Sequence, residues 1–415
     1  MRLTTITKRL SITAVALAAS CSTIIEPVPE QAQAPKLTAL PRALSAAEQR
    51  LVSSANDFSF ALFRQVASAN KDSNVFISPL SASMALGMTM NGASGTTHDQ
   101  MRTALAFGTS TDSVINESYN GLIGLLRGLD ATVDVRVANS IWYEKTFPFN
   151  QTFVDDSKRW FDAKVSALDF AQPSSVTTIN DWVSTATSGK IPQIIDKISP
   201  DQVMLLINAI YFKGNWRDKF DAAQTKDTLF FGVSGNQPMR LMHRHGVLSF
   251  LFTPQFAAVD LPYGNGAFTM TVLLPNQGTS LDQLVSSLQS GAWTSWMSGF
   301  HEISTDIWLP KLKLEWERTL NGDLKALGLR DAFDPNVADF TRMSPAGRGL
   351  YIDKVKQKTY VDINEEGTEA AAVTSVGISV TSLPPSLRVD RPYIFVIRER
   401  LSGTIVFMGK IVRMP

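Results

Sequence analysis

Positions of small, polar and apolar character alternate over a long run near the C-terminal end, residues 365–381, EEGTEAAAVTSVGISVT, which is without proline, lysine or arginine and stops just before Pro384 and Pro385. Every second residue from Thr368 gives Thr368, Ala370, Ala372, Thr374, Val376, Ile378 and Val380, small at one end and β-branched and apolar at the other. The intervening Glu369, Ala371, Val373, Ser375, Gly377, Ser379 and Thr381 are mostly polar or small. A period of two with one buriable face is strand patterning. Roughly fourteen residues is long beside the usual ~5 to 6, and Gly367 at the head leaves φ free where the chain must swing. Two readings stand side by side: a strand that slides between strands already formed, or an ordinary exposed loop.

Helical spacing dominates the first third of the chain and strand patterning the remainder, which predicts a mixed α and β class. Ser45-Ala46-Ala47-Glu48 has capping-box spacing, and Leu51, Phe58, Leu62 and Phe63 follow at about helical intervals, so the folded domain is expected to begin near residue 44. No linker-like stretch or internal repeat interrupts residues 44–415, which argues for one large domain. In front of it, residues 21–43 read as a tether, with Pro27, Pro29, Pro35 and Pro41 among Ala, Gln and Glu. Residues 1–20 have a basic start and an apolar stretch from Leu10 to Leu17, and fit a secretory signal peptide. That stretch is too short and too weakly apolar to span a membrane permanently.

Cys21 is the only cysteine, so no disulfide can form within the domain and packing must stabilise it. The small residues Ala18-Ala19-Ser20 before it resemble a bacterial lipoprotein processing site, in which the cysteine becomes the acylated N-terminus, although Ala18 stands where leucine is usual. Plain secretion with cleavage nearby is the alternative. Both place the protein outside the cytoplasm, secreted or in the cell envelope, with a membrane reached only through a lipid on Cys21.

With 44% apolar and 19% charged residues the composition is that of a globular protein with a sizeable core. The net charge of +1 counts Arg2, Lys8 and Arg9; without them 36 of the 39 basic residues face 38 acidic ones, and no nucleic-acid-binding charge remains.

Conventional catalytic patterns are missing. There is no Gly-x-Ser-x-Gly elbow, and Gly92-Ala93-Ser94-Gly95 has the wrong spacing. Of the four histidines, His98, His243, His245 and His301, only His243 and His245 are close in sequence. On a strand both would point the same way, but two ligands without a nearby third are weak evidence for zinc, and hydrogen-bonding histidines are the better reading. No phosphate-cradling loop or His-Glu-x-x-His helix occurs, so no cofactor or metal is expected.

Six segments in order resemble the serpins: 74–101 (NVFISPLSASMALGMTMNGASGTTHDQM), 180–191 (NDWVSTATSGKI), 205–216 (LLINAIYFKGNW), 309–317 (LPKLKLEWE), 338–343 (ADFTRM) and 391–411 (RPYIFVIRERLSGTIVFMGKI). The resemblance covers essentially the whole domain. It implies an α+β fold: a large central, mainly antiparallel sheet, two further sheets, about eight or nine helices and an exposed reactive-centre loop.

The opening run then resembles the hinge of that loop, Glu365, Glu366, Gly367, Thr368, Glu369, Ala370, Ala371 and Ala372. In the family the loop is bait for a protease and after cleavage enters the main sheet as a new strand. The vacancy for it is expected to fill only then, with Gly367 as pivot. Counting along the loop puts the scissile bond between Thr381 and Ser382, or between Val380 and Thr381 if the effective loop is shorter. Either offers a small β-branched residue, suited to a shallow apolar pocket rather than to trypsin-like or chymotrypsin-like ones. Elastase-like or subtilisin-like serine proteases are the implied partners, with papain-like cysteine proteases a weaker possibility. Catalysis would belong to the target, this chain supplying no catalytic residue and acting as a monomer.

The resemblance also implies a shutter at Ser78, Ser81, Asn208 and Gln357, and a breach at Trp216, Lys311 and Glu365. Gln357 stands where many serpins have histidine. It can exchange hydrogen bonds with Ser78 or Asn208 but cannot titrate near neutrality. Lys311 and Glu365 match a salt-bridge pair of some relatives, expected to be exposed and to contribute ~0 to 1 kcal/mol. Residues 112–135, basic in heparin-activated members, hold only Arg127, which argues against polysaccharide activation. A non-inhibitory carrier, storage or chaperone-like serpin is the alternative function; such members carry charge, bulk or proline in the hinge where this chain has Thr368, Ala370 and Ala372.

Overall fold

The computed structural model describes Met1 and residues 35–199, 202–368 and 386–415. The first helix, Ala46–Ser68, begins where the sequence marks it: Ser45 caps it, accepting from the Glu48 amide while the Glu48 carboxylate accepts from the Ser45 amide. Arg42 closes on the same carboxylate at 2.6 Å. Leu51, Phe58, Leu62 and Phe63 lie on its buried side. The second helix, Pro79–Met90, starts from Ser78 with proline at its first turn, where a missing N–H leaves no bond unmade. All twelve of its residues are buried, so it runs through the core behind the sheets.

Among the described residues there are nine α-helices and two hydrogen-bonded ladders. The larger ladder orders its strands Val75–Ile77, Ile405–Ile411, Tyr393–Glu399, Phe268–Pro275, Phe256–Pro262, Gly235–Phe252, His301–Pro310 and Leu387–Arg388, with Lys226–Gly232 also paired to Gly235–Phe252. The two further sheets that the sequence led us to expect share the strand Gly235–Phe252, whose eighteen residues serve both.

The second ladder is the main sheet, ordered Leu312–Thr319, Lys354–Asn364, Gly367–Thr368, Met204–Asn215, Val133–Glu144 and Lys164–Leu168. Its central seam has two halves. In the lower half Lys354–Thr359 pairs directly, and parallel, with Leu205–Ile210. Above that the rungs run instead through Gly367 and Thr368, which are antiparallel to Asn364 and Ile363 on one side and to Asn215 and Gly214 on the other. The helix Ser174–Ala186 lies over the lower half, its Ile179 and Val183 in one apolar cluster with Trp142, Leu205 and Ile207.

Candidate functional site

The upper end of the seam is built from the turn that joins Asn364 to Gly367. The Trp216 and Phe220 amides donate to the carbonyls of Glu366 and Glu365, at 2.7 and 2.9 Å, and the Trp216 indole donates to the Asn364 carbonyl at 2.8 Å. Three backbone carbonyls are thereby held by one short segment after the strand Met204–Asn215. Glu365 also receives the Lys311 ammonium at 2.7 Å and the Thr225 hydroxyl at 2.8 Å. Burial pushes the Glu365 carboxyl up, but the hydrogen bonds from Lys311 and Thr225 outweigh it and hold the group below the ordinary glutamate range. The pair expected to be exposed is therefore half-buried, with Glu365 only 7% exposed, because the turn draws the carboxylate under Lys311. Glu366 is buried too and pairs with Lys219 at 2.6 Å.

Gly367 takes φ 155°, and a Cβ there would overlap the Gly214 carbonyl and the backbone of Asn215 and Trp216. Only glycine lets the chain pass so close to the neighbouring strand. Thr368 is fully buried and its hydroxyl shares a hydrogen bond of 2.9 Å with the Tyr263 hydroxyl. Tyr263 in turn stacks on Trp216, with centroids 4.5 Å apart and planes 13° from parallel. Gly367 and the first residue of the alternation, Thr368, are thus already seated in the main sheet with the chain intact. The expectation of a vacancy filled only after cleavage is corrected at these two positions, the run from Glu369 onward lying outside the described residues: the divergence of the two strands above Thr359 and Ile210 leaves backbone groups that Gly367 and Thr368 satisfy at once.

Ser78, Ser81, Asn208 and Gln357 meet in the lower half of the seam, all buried. Gln357 and Asn208 are opposite each other across the parallel pairing, and the Gln357 amide donates to Asn208 Oδ1 at 2.8 Å. The same amide donates to the Ser78 carbonyl at 2.8 Å, while its oxygen accepts from the Ser78 amide at 3.0 Å. Asn208 Nδ2 donates to Ser81 and, at 2.6 Å, to Asn139 Oδ1 of the next strand. The Ser78 hydroxyl donates to the Val406 carbonyl of the other ladder at 2.8 Å. Gln357 and Asn208 thus clasp both sides of the seam to Ser78 and Ser81 at the start of the buried helix, and a strand entering past Thr359 and Ile210 far enough to reach them must part the Gln357–Asn208 bond.

Sequence reasoning missed Asn139, Tyr263, Thr225 and Lys219 as members of this region; nothing in their local spacing marks them. His243 and His245 both point at Asp306, 2.8 and 3.3 Å away, with His243 stacked on Trp308. His98 contacts Asp112 at 3.0 Å and His301 is exposed. Arg127 pairs with Asp162 at 3.0 Å. Cys21, Glu369, Ala370, Ala371, Ala372, Val380, Thr381 and Ser382 lie outside the described residues.

The chain matches the family model described as serpin (serine protease inhibitor) over residues 53–414. It is 35% identical to human serpin B11 over 387 residues, covering 87% of this chain and 98% of that protein. To the leukocyte elastase inhibitor of horse it is 32% identical over 377 residues, 87% of this chain and 99% of that one. The native-state crystal structure of the thermophilic serpin tengpin is similar with a TM-score of 0.82 at 29% identity, covering 92% of this chain and 97% of that one. A sheet with a seam clasped at its centre and a buried glycine-threonine wedge at its top, on a chain matched along nearly its whole folded length, identifies this protein as a member of the serpin family.

Proposed function

We propose that this serpin is a single-use covalent inhibitor of serine proteases with shallow, apolar primary pockets, of the elastase-like or subtilisin-like kind. In this reading the protease serine attacks the carbonyl of Thr381, the amine of Ser382 leaves, and the acyl-enzyme ester is carried away as residues after Thr368 zip into the seam. The observation that carries the reading is the seat of Gly367 and Thr368 between two strands, followed in sequence by small residues and then a β-branched face. Each further rung would pair backbone groups along both strands. Similarity to proteins named leukocyte elastase inhibitor supports the same class of target.

The domain would act as a monomer in the cell envelope or outside it, tethered through residues 21–43 if Cys21 is acylated. Mixing the purified domain with elastase is expected to yield a denaturant-resistant complex of the summed mass. A loop cut by an elastase that keeps full activity would overturn the reading and leave the carrier or chaperone-like alternative.

A further inference from the structure

The ring of His243 sits between two acceptors. Its Nε2 lies 2.8 Å from Asp306 Oδ1 and its Nδ1 2.6 Å from Gln224 Oε1. The orientation of the Gln224 amide is fixed by its other end: Nε2 donates to Asp221 Oδ2 at 3.2 Å, and Asp221 Oδ1 accepts from the Ala223 amide at 2.9 Å. The carbonyl oxygen is therefore what remains for His243, and only the doubly protonated ring can donate to both neighbours. When one proton leaves, the charged Asp306 keeps the remaining N–H, and a bare Nδ1 faces the lone pairs of Gln224. Gln224 cannot turn its amide without aiming its carbonyl at the Asp221 carboxylate.

The consequence reaches the loop. Gln224 ends the short helical turn Ala222–Gln224, and the next residue, Thr225, holds Glu365 through its hydroxyl at 2.8 Å. We propose that His243 is a proton-operated clasp: protonated, it fixes the Ala222–Thr225 turn and with it the anchor of Glu365 at the root of the loop; neutral, it lets both loosen. The other charged groups around the ring do not replace this contact. His245 shares the same Asp306 oxygen at 3.3 Å. Lys226, Asp227 and Arg388 line, with His243 and Trp308, an adjoining cleft of about 400 Å³. Arg388 is paired with Asp390 at 2.8 Å and Asp227 with Arg240 at 3.6 Å.

The sign follows from proton counting. The held arrangement binds one proton more than the loosened one, so it is favoured as pH falls. Histidine side chains change charge between about pH 5 and 8. The loop root would be held at lower pH and freed at higher pH, where an inhibitor that must insert quickly gains from a mobile hinge; this last step rests on the inhibitor reading above.

The test is hydrogen exchange by mass spectrometry on the full chain, following peptides that contain residues 354–368, at about pH 5.5 and about pH 8, corrected for intrinsic rates. Protection of the Gly367 and Thr368 amides is expected to fall roughly three- to tenfold at the higher pH, one hydrogen bond's worth. His243→Phe should flatten the dependence. Gln224→Glu, which puts a carboxylate on each side of the ring, should move the midpoint upward. A wild-type dependence that is absent, or that survives unchanged in His243→Phe with an unmoved midpoint in Gln224→Glu, overturns the clasp. The exchange is read without protease, so a normal exchange step with no elastase complex counts against the inhibitor reading alone, and the converse against the clasp alone.

Discussion

Glu365 shows how one residue can anchor a turn without a large energy. Its carboxylate gathers an ammonium and a hydroxyl in a half-buried site, and its own carbonyl accepts from Phe220. Because its pKa in the fold is lowered, the stabilisation it contributes is present above the ordinary glutamate range and is lost as pH falls through the lower folded-state value. Acid is therefore expected to release the anchor of Glu365 on the acid side of that range, opposite in sign to the effect proposed for His243. Exchange of the Gly367 and Thr368 amides, followed downward from about pH 5, should rise in the wild type and be flat in Glu365→Gln. Lys311 and Glu365 were readable as a pair from the family resemblance. Their burial was not, since it depends on the Thr225 hydroxyl arriving from 140 residues away.

At the scale of elements the decisive one is the two-residue strand Gly367–Thr368. Its seat requires a residue without a side chain at 367, where φ 155° and the approach of Gly214, Asn215 and Trp216 exclude a Cβ. Gly367→Ala is expected to drive the pair out of the seam, break the Thr368–Tyr263 hydroxyl contact, and destabilise the intact domain by about 1 to 3 kcal/mol. Denaturant unfolding and exchange at Thr368 check this; wild-type values in both would show that the turn accommodates a side chain. Other elements were legible in advance. The capping box at Ser45 and Glu48 starts the first helix because the signal is local, a side chain and an amide three residues apart. The end of direct pairing at Thr359 and Ile210 had no such mark, because a register between strands about 150 residues apart is set by what packs on both faces.

For the whole molecule, the central seam of the main sheet divides, among the described residues, into a directly paired half and a half joined through Gly367 and Thr368. The seam is closed below by parallel pairing and the Gln357–Asn208 bond, and wedged above by Thr368. Opening it costs the lower rungs and the buried amide clasp; a full new strand between the same neighbours would offer antiparallel partners on both sides. Cutting the loop without a protease left attached is therefore expected to raise the melting temperature by much more than the ~2 to 4 °C that one kcal/mol gives a domain smaller than this one. Scanning calorimetry before and after limited cleavage checks it, and an unchanged midpoint would mean that the loop stays outside the sheet.

What the sequence determined by itself was everything carried by spacing along the chain: the period of two after Gly367, the small residues at its start, the missing proline and basic charge, the helix cap, and the ordered motifs of a family. These are local, and local patterning is what backbone geometry reads first. The tertiary structure alone decided that Thr368 meets Tyr263, that Asn139 joins Asn208 and Gln357, and that His243 is pinned between Asp306 and Gln224 beside the anchor of Glu365. Those contacts join residues between 19 and 149 positions apart, and only sheet register and close packing bring them within hydrogen-bonding distance.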